Sequence, residues 1–230
     1  MTTDHAGMPA GALPGGDQDV FNCFSPALKA CLLKAPRVVL VANNPAITAA
    51  DLQALGIGSD DVVVSFNKCL KAELLTPHSV NVVVHGFNAP DHYFFGLPLP
   101  GAIQPWFHPR SDRCFSILVG CTEALCPLPG VSVFRERIPL PPLWNYPVER
   151  PGGKRYVGPS TGFNALVLFD ALRSLPGYDY ALMALGFSDE AGKLWGGHAW
   201  DYERAWLRSA NIIRVGLQRQ KRWWQLWRRR

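Results

Sequence analysis

The 230-residue chain has no CxxC pair and no cysteine set against histidine at zinc-ligand spacing, which argues against a structural zinc site. Its six cysteines, Cys23, Cys31, Cys69, Cys114, Cys121 and Cys126, are scattered and read as reduced thiols of a cytosolic protein. No uninterrupted apolar run reaches membrane-spanning length, and the opening MTTDHAGMPAGALPGGDQD lacks the basic-then-apolar order of a signal peptide. The expected location is therefore the cytoplasm. Acidic residues are missing from 214–230, where Arg214, Arg219, Lys221, Arg222, Arg228, Arg229 and Arg230 supply seven cations. Setting these apart leaves 16 basic against 18 acidic residues, so the formal charge of +5 belongs to the tail. The body offers no basic groove, and no nucleic-acid partner is expected.

The chain is instead built of Val-rich runs alternating with helices. RVVLVA (37–42), DVVVSFN (61–67), VNVVVHG (80–86) and YDYALMALGF (178–187) read as buried strands. Thr48 and Asp51 match a capping box opening a helix through about Leu55, and KCLKAELL reads as a short helix. Continuous apolar strands separated by helices predict an α/β fold, a Rossmann-like, mostly parallel sheet with helices on both faces in a single domain. Residues 1–19, rich in Gly, Pro and Ala, are expected to be disordered, and 20–210 to form the domain. Within it, 87–156 is interrupted by Pro, Gly and aromatic residues, with CFSILVG and VSVFRERI as its strands, and reads as an acceptor platform or lid.

The stretch GPSTGFNALVLFDAL (158–172) sets small, turn-forming residues directly before an apolar helix. Ala165, Leu168, Phe169 and Leu172 recur at helical spacing, and Ser160 or Thr161 is placed as N-cap. Such a start directs free N–H groups outward and suits an anion, although an ordinary capped core helix has the same local pattern. ANNPA (42–46), SFNKC (65–69) and the loop carrying His198 also fall at predicted carboxyl ends of strands, where open α/β sheets bind ligands.

Three of these segments, in this order, resemble the sialyltransferases of glycosyltransferase family 29. RVVLVANNPAITAADLQALGIGSDDVVVSFNKC is similar to the family's long motif, and GPSTGFNALVLFDALRSLPGYDYALMALGFS to its short motif. HAWDYE (198–203) matches the very short His-x4-Glu motif. The resemblance implies a sialyltransferase-like variant of the GT-A type. It also implies inverting transfer of a sialic or related ulosonic acid from a CMP donor to a saccharide or glycolipid hydroxyl, without metal or other cofactor. It assigns Asn43, Asn67, Ser160, Thr161 and Gly162 to the donor, His198 as catalytic base, and Glu203 as structural near the site. CMP carries a single phosphate, whose developing charge a helix start and neutral donors can hold. A base titrating near neutrality suits an attacking hydroxyl.

The match has departures. Ser65 stands where the family has Arg, Ala42 replaces a Gly, and the third, His- and Tyr-rich motif is missing. His85 and His108 are candidates for the group that assists phosphate departure, but both read as structural. A transferase of 3-deoxy-manno-octulosonic acid (Kdo), using CMP-Kdo, and a catalytically inactive nucleotide-binding scaffold are the alternatives. Finally, IIRVGLQRQKRWWQLWRRR reads as an amphipathic helix in which Ile212, Ile213, Trp223, Trp224 and Trp227 share one stripe and cations lie opposite. Trp beside Arg and Lys predicts peripheral attachment of 212–230 to an anionic membrane surface, here the inner face of the cytoplasmic membrane.

Overall fold

The structure is a computed structural model that describes residues 24–67, 71, 79–85, 113–119, 135–138, 146–147, 149, 152–154, 158–187 and 196–217. Its elements run α1 (Pro26–Lys34), β1 (Arg37–Val41), α2 (Ala49–Ala54), β2 (Val62–Phe66), β3 (Val80–His85), β4 (Cys114–Val119) and β5 (Arg135–Ile138). They continue with α3 (Thr161–Leu172), β6 (Ala181–Leu185), α4 (Trp200–Ser209) and β7 (Ile213–Val215). The seven strands form one sheet in the order β5-β4-β3-β2-β1-β6-β7, and every adjacent pair is parallel. This is the Rossmann-like α/β fold that the Val runs predict.

Both faces of the sheet are covered, which is why its central strands alternate between two apolar cores rather than between core and water. Val38 and Leu40 of β1, with Val62, Val64 and Phe66 of β2, pack with Leu28 and Leu32 of α1 and the apolar side chains of α3. Val39, Val41 and Val63 pack on the other face with Ile47, Leu52 and Leu55 around α2. α3 is buried on more than the single stripe its spacing predicts: Phe163, Ala165, Leu166, Val167, Leu168, Phe169, Ala171 and Leu172 are all inaccessible.

Local signals explain the helix starts. Thr48 and Asp51 form the expected capping box, each side chain taking the other's backbone N–H. Ser160, not Thr161, is the N-cap of α3, accepting from Phe163 N at 3.1 Å. At the amino end of the sheet the buried Asp61 carboxylate holds Arg37 through Nε at 2.9 Å and through Nη2, while Arg37 also donates to Leu55 O and Gly56 O. The hydrogen bond to Asp61 raises the Arg37 pKa above its ordinary value against the opposing effect of burial.

Two expectations change. Ile213–Val215, expected to begin the amphipathic helix, is a β-strand paired to β6 in parallel register, Leu185 opposite Val215. Its β-branched side chains satisfy an open sheet edge, which a helical wheel does not register. The helix expected near His198 starts at Trp200, as read. The 87–156 segment is not wholly a lid, because β4 and β5 are two of the seven strands. α1, capped by Ser25 with Pro26 at its first turn, has no counterpart among the elements expected from sequence. Residues 1–19, most of KCLKAELL, His108 and 218–230 lie outside the described residues.

Candidate functional site at the carboxyl end of the sheet

The chain reverses direction across the sheet between β1 and β6: strands β2 to β5 lie on one side of β1, and β6 and β7 on the other. The carboxyl ends of the strands that flank such a switch point are where open parallel sheets bind ligands. Four of the segments singled out in the sequence meet there.

Asn43, exposed beyond β1, donates Nδ2–H to Phe66 O at 2.7 Å and ties the ends of β1 and β2 together. Its neighbour Asn44 is buried and spans to the other side, donating Nδ2–H to Gly186 O at 3.0 Å and accepting from Ala46 N. Asn67 holds a left-handed backbone at φ +46°, a conformation that asparagine tolerates better than most residues. Its Nδ2 reaches Thr161 Oγ1 at 3.2 Å, joining the β2 end to the start of α3.

The start of α3 is built around a buried carboxylate. Glu203 of α4 accepts from Ser160 N at 2.8 Å and from Ser160 Oγ at 2.6 Å. Tyr146 Oη also reaches Glu203 Oε1 at 2.9 Å, and accepts from Ala199 N at 2.7 Å. One anionic group thus already occupies the outer edge of the helix terminus, where the dipole favours it. The amides of Thr161 and Gly162 are the two first-turn donors that have no acceptor among the described residues.

Gly162 is explained in part by packing. A Cβ there would meet Phe187 Cε1 at 3.1 Å and Cζ at 3.4 Å. Phe187 in turn stands edge-on to Phe66, ring centroids 5.8 Å apart, so two aromatic rings from the ends of β2 and β6 border the helix start. Neither Phe is among the site residues expected from sequence, although Phe187 ends one predicted strand and Phe66 is the last residue but one of another.

His198 sits half-buried in the turn before α4, with Nδ1 2.5 Å from Gly158 O. A carbonyl oxygen only accepts, so Nδ1 carries the proton and, in the neutral ring, Nε2 is the basic nitrogen. Gly158 N donates to Gly197 O at 3.3 Å, closing a two-way clasp between the loop before α3 and the loop before α4. The ring of Trp200 stands perpendicular to the imidazole at 5.1 Å. No family model, curated protein or solved structure matches the chain.

The expected residues are thus linked into one network. Asn43 and Asn67 come from the ends of β1 and β2, Ser160, Thr161 and Gly162 from the start of α3, and His198 and Glu203 from the turn and first turn of α4. Tyr146, Asn44, Gly186 and Phe187 complete it and are not assigned to the site by the sequence. Among the described residues no group of three His, Cys, Asp or Glu side chains gathers to hold a metal. Cys31 and Cys114 form no disulfide among the described residues, and the other four cysteines lie outside them. No described helix is long and apolar enough to cross a membrane.

Ser65, where the resembled motif has Arg, faces the α2 side of the sheet by strand alternation. It is buried, and its Oγ has no hydrogen-bond partner among the described residues. A long cation at this position would have to enter the apolar layer of Val41, Val63 and Val83.

Proposed function

We propose that the protein is a glycosyltransferase that moves a sialic or related ulosonic acid from a CMP-activated donor to a saccharide hydroxyl, with His198 as general base. The observation that carries this reading is the Nδ1 contact of His198 to Gly158 O, in the loop that leads into α3, which leaves Nε2 as the basic nitrogen. A base that abstracts a hydroxyl proton and a helix start that receives the leaving phosphate then belong to one clasp.

Each residue's role rests on its place in that clasp. The amides of Thr161 and Gly162 receive the phosphate of CMP, with Asn43 and Asn67 as neutral side-chain donors at the ends of β1 and β2. Phe66 and Phe187 supply apolar walls. As the acceptor oxygen forms its bond to the anomeric carbon, its proton passes to His198 Nε2 and the bond to the CMP oxygen breaks, inverting that carbon. Glu203 does not touch substrate in this scheme; it fixes Ser160. The single charged phosphate needs no metal to neutralise it. Residues 218–230, with six cations and three tryptophans, attach the enzyme to an anionic membrane surface from the cytoplasmic side.

The test is calorimetric titration with CMP, UMP and AMP, followed by transfer assays with CMP-sialic acid and CMP-Kdo. Selective CMP binding that weakens in Asn43→Ala and Thr161→Ala supports the donor site. His198→Ala then loses transfer while retaining CMP binding. Equal binding of all three nucleotides, or full transfer by His198→Ala, defeats the assignment. CMP binding without transfer from either donor would favour a nucleotide-binding scaffold.

A further inference from the structure

We infer that the carboxyl edge of the sheet, where the candidate site opens, is the face turned toward an anionic bilayer, so that the acceptor is one presented at a membrane surface. The acceptor clause rests on the transferase reading; the orientation does not.

The direction of β7 fixes where the chain leaves the sheet. It runs parallel to β6, with Val215 opposite Leu185. The exit at Gly216 therefore lies on the same edge as Gly186, whose carbonyl holds Asn44. Neighbouring strands lie about 4.8 Å apart, so the exit is one strand from β6 and about 10 Å, two strands, from the end of β1 that carries Asn43. An antiparallel β7 would have sent the next residues to the opposite edge, beside the Arg37–Asp61 pair.

The sequence beyond that exit is strongly one-sided in charge. Arg219, Lys221, Arg222, Arg228, Arg229 and Arg230 come with Trp223, Trp224 and Trp227, and no acidic residue interrupts them. Arg219 and Lys221 lie four and six residues beyond Val215, within about 22 Å of it along even a fully extended chain. The cationic run is therefore tethered to the sheet at the site edge. The same edge carries Lys71, whose Nζ reaches Pro45 O, while Asp201 at the start of α4 is paired with Arg204. Ile213, one of two large apolar side chains exposed among the described residues, opens β7 opposite Met183, two residues before the carboxyl end of the strand. Cations with interleaved indoles match anionic headgroups, the Trp rings seating at headgroup depth.

The test is hydrogen exchange by mass spectrometry on the full chain, with vesicles of phosphatidylcholine plus phosphatidylglycerol and with vesicles of phosphatidylcholine alone. Anionic vesicles are expected to slow exchange about fivefold or more in 42–48, 158–160 and 213–217, and to leave 56–61 at the amino edge unchanged. The chain lacking 218–230 should lose this protection and still bind CMP. Protection of 56–61, or flotation with protection of neither edge, overturns the orientation. Absence of flotation overturns the membrane partner while leaving CMP binding as a separate result. Equal protection by phosphatidylcholine alone, or by a DNA duplex at the same ionic strength, also overturns the proposal.

Discussion

His198 donates its Nδ1–H to the carbonyl oxygen of Gly158 across 40 residues of sequence, and this bond selects the ring nitrogen that can act as a base. Gly158 is itself held from the other side, by Gly197 O on its N–H and by Tyr146 Oη at 3.2 Å from its carbonyl. Tyr146 also engages Glu203 and Ala199, so one phenol braces both loops of the clasp.

Removing that phenol should loosen the tautomer without removing the imidazole. In the wild type, long-range nitrogen correlations of the imidazoles, assigned with His198→Ala, should show Nε2 of His198 as the unprotonated nitrogen. Tyr146→Phe should mix the two tautomers and cost about 1–2 kcal/mol in urea unfolding. An unprotonated Nδ1 in the wild type would overturn the proposed clasp.

Gly186 should resist any side chain. It holds φ +74°, and a Cβ there would lie 2.6 Å from Ile47 Cδ1 and 3.3 Å from Asn44 Cβ. Gly186→Ala therefore combines left-handed strain with overpacking and should cost about 2–4 kcal/mol. Gly56, at φ +53° with open space around it, is the control, and its alanine variant should lose only about 1 kcal/mol. Equal losses in the two variants would mean that Ile47 yields readily.

Stability should fall in alkali. Burial raises the Tyr180 phenol far above its ordinary value, and its Oη donates to Phe169 O at 2.7 Å. Burial also raises Tyr178 and Tyr202. Because the folded pKa lies above the unfolded one, this contribution is complete below about pH 10 and declines as pH rises further. Tyr180→Phe should flatten that decline in unfolding measured at pH values around 9 to 11. An unchanged slope would assign the alkaline loss to other groups.

Ser65 is a place where a polar atom costs stability. Its buried Oγ lacks a partner among the described residues, so Ser65→Ala should unfold at equal or higher urea, by up to about 1 kcal/mol. A loss above about 1 kcal/mol would show that the hydroxyl is bonded in solution. Ser65→Arg, which restores the residue of the resembled motif, should be destabilised by about 3 kcal/mol or more.

The central sheet was legible because its strands are buried on both faces. Val-rich runs such as RVVLV and VVVSF have no other stable reading once helical segments separate them. The capping pair Thr48 and Asp51 and, to within one residue, the N-cap of α3 at Ser160 were legible for a local reason, since their partners lie three residues away. The carboxyl-end loops followed from the sheet itself. α1 was not legible: it is short and rests on Leu28 and Leu32, whose burial depends on strands further along the chain. Tyr146 carried no signal in a Pro- and aromatic-rich stretch, because its role arises from contacts 53 and 57 residues away. β7 was hidden because three β-branched or charged residues fit a helical wheel until a strand edge is available to pair with them.

The position of β1 between β2 and β6 also sets the order in which the molecule can be assembled. Val38 pairs with Val62 across a short connection, but with Leu182 only after most of the chain has been made. Contacts this distant in sequence close slowly, because the intervening chain must first surrender its freedom. During synthesis the strands β1 to β5 can therefore gather while one long edge of β1 stays open. The carbonyl of Gly186 and the imidazole of His198 are made only after β1 to β5, so their contacts with Asn44 and Gly158 close late.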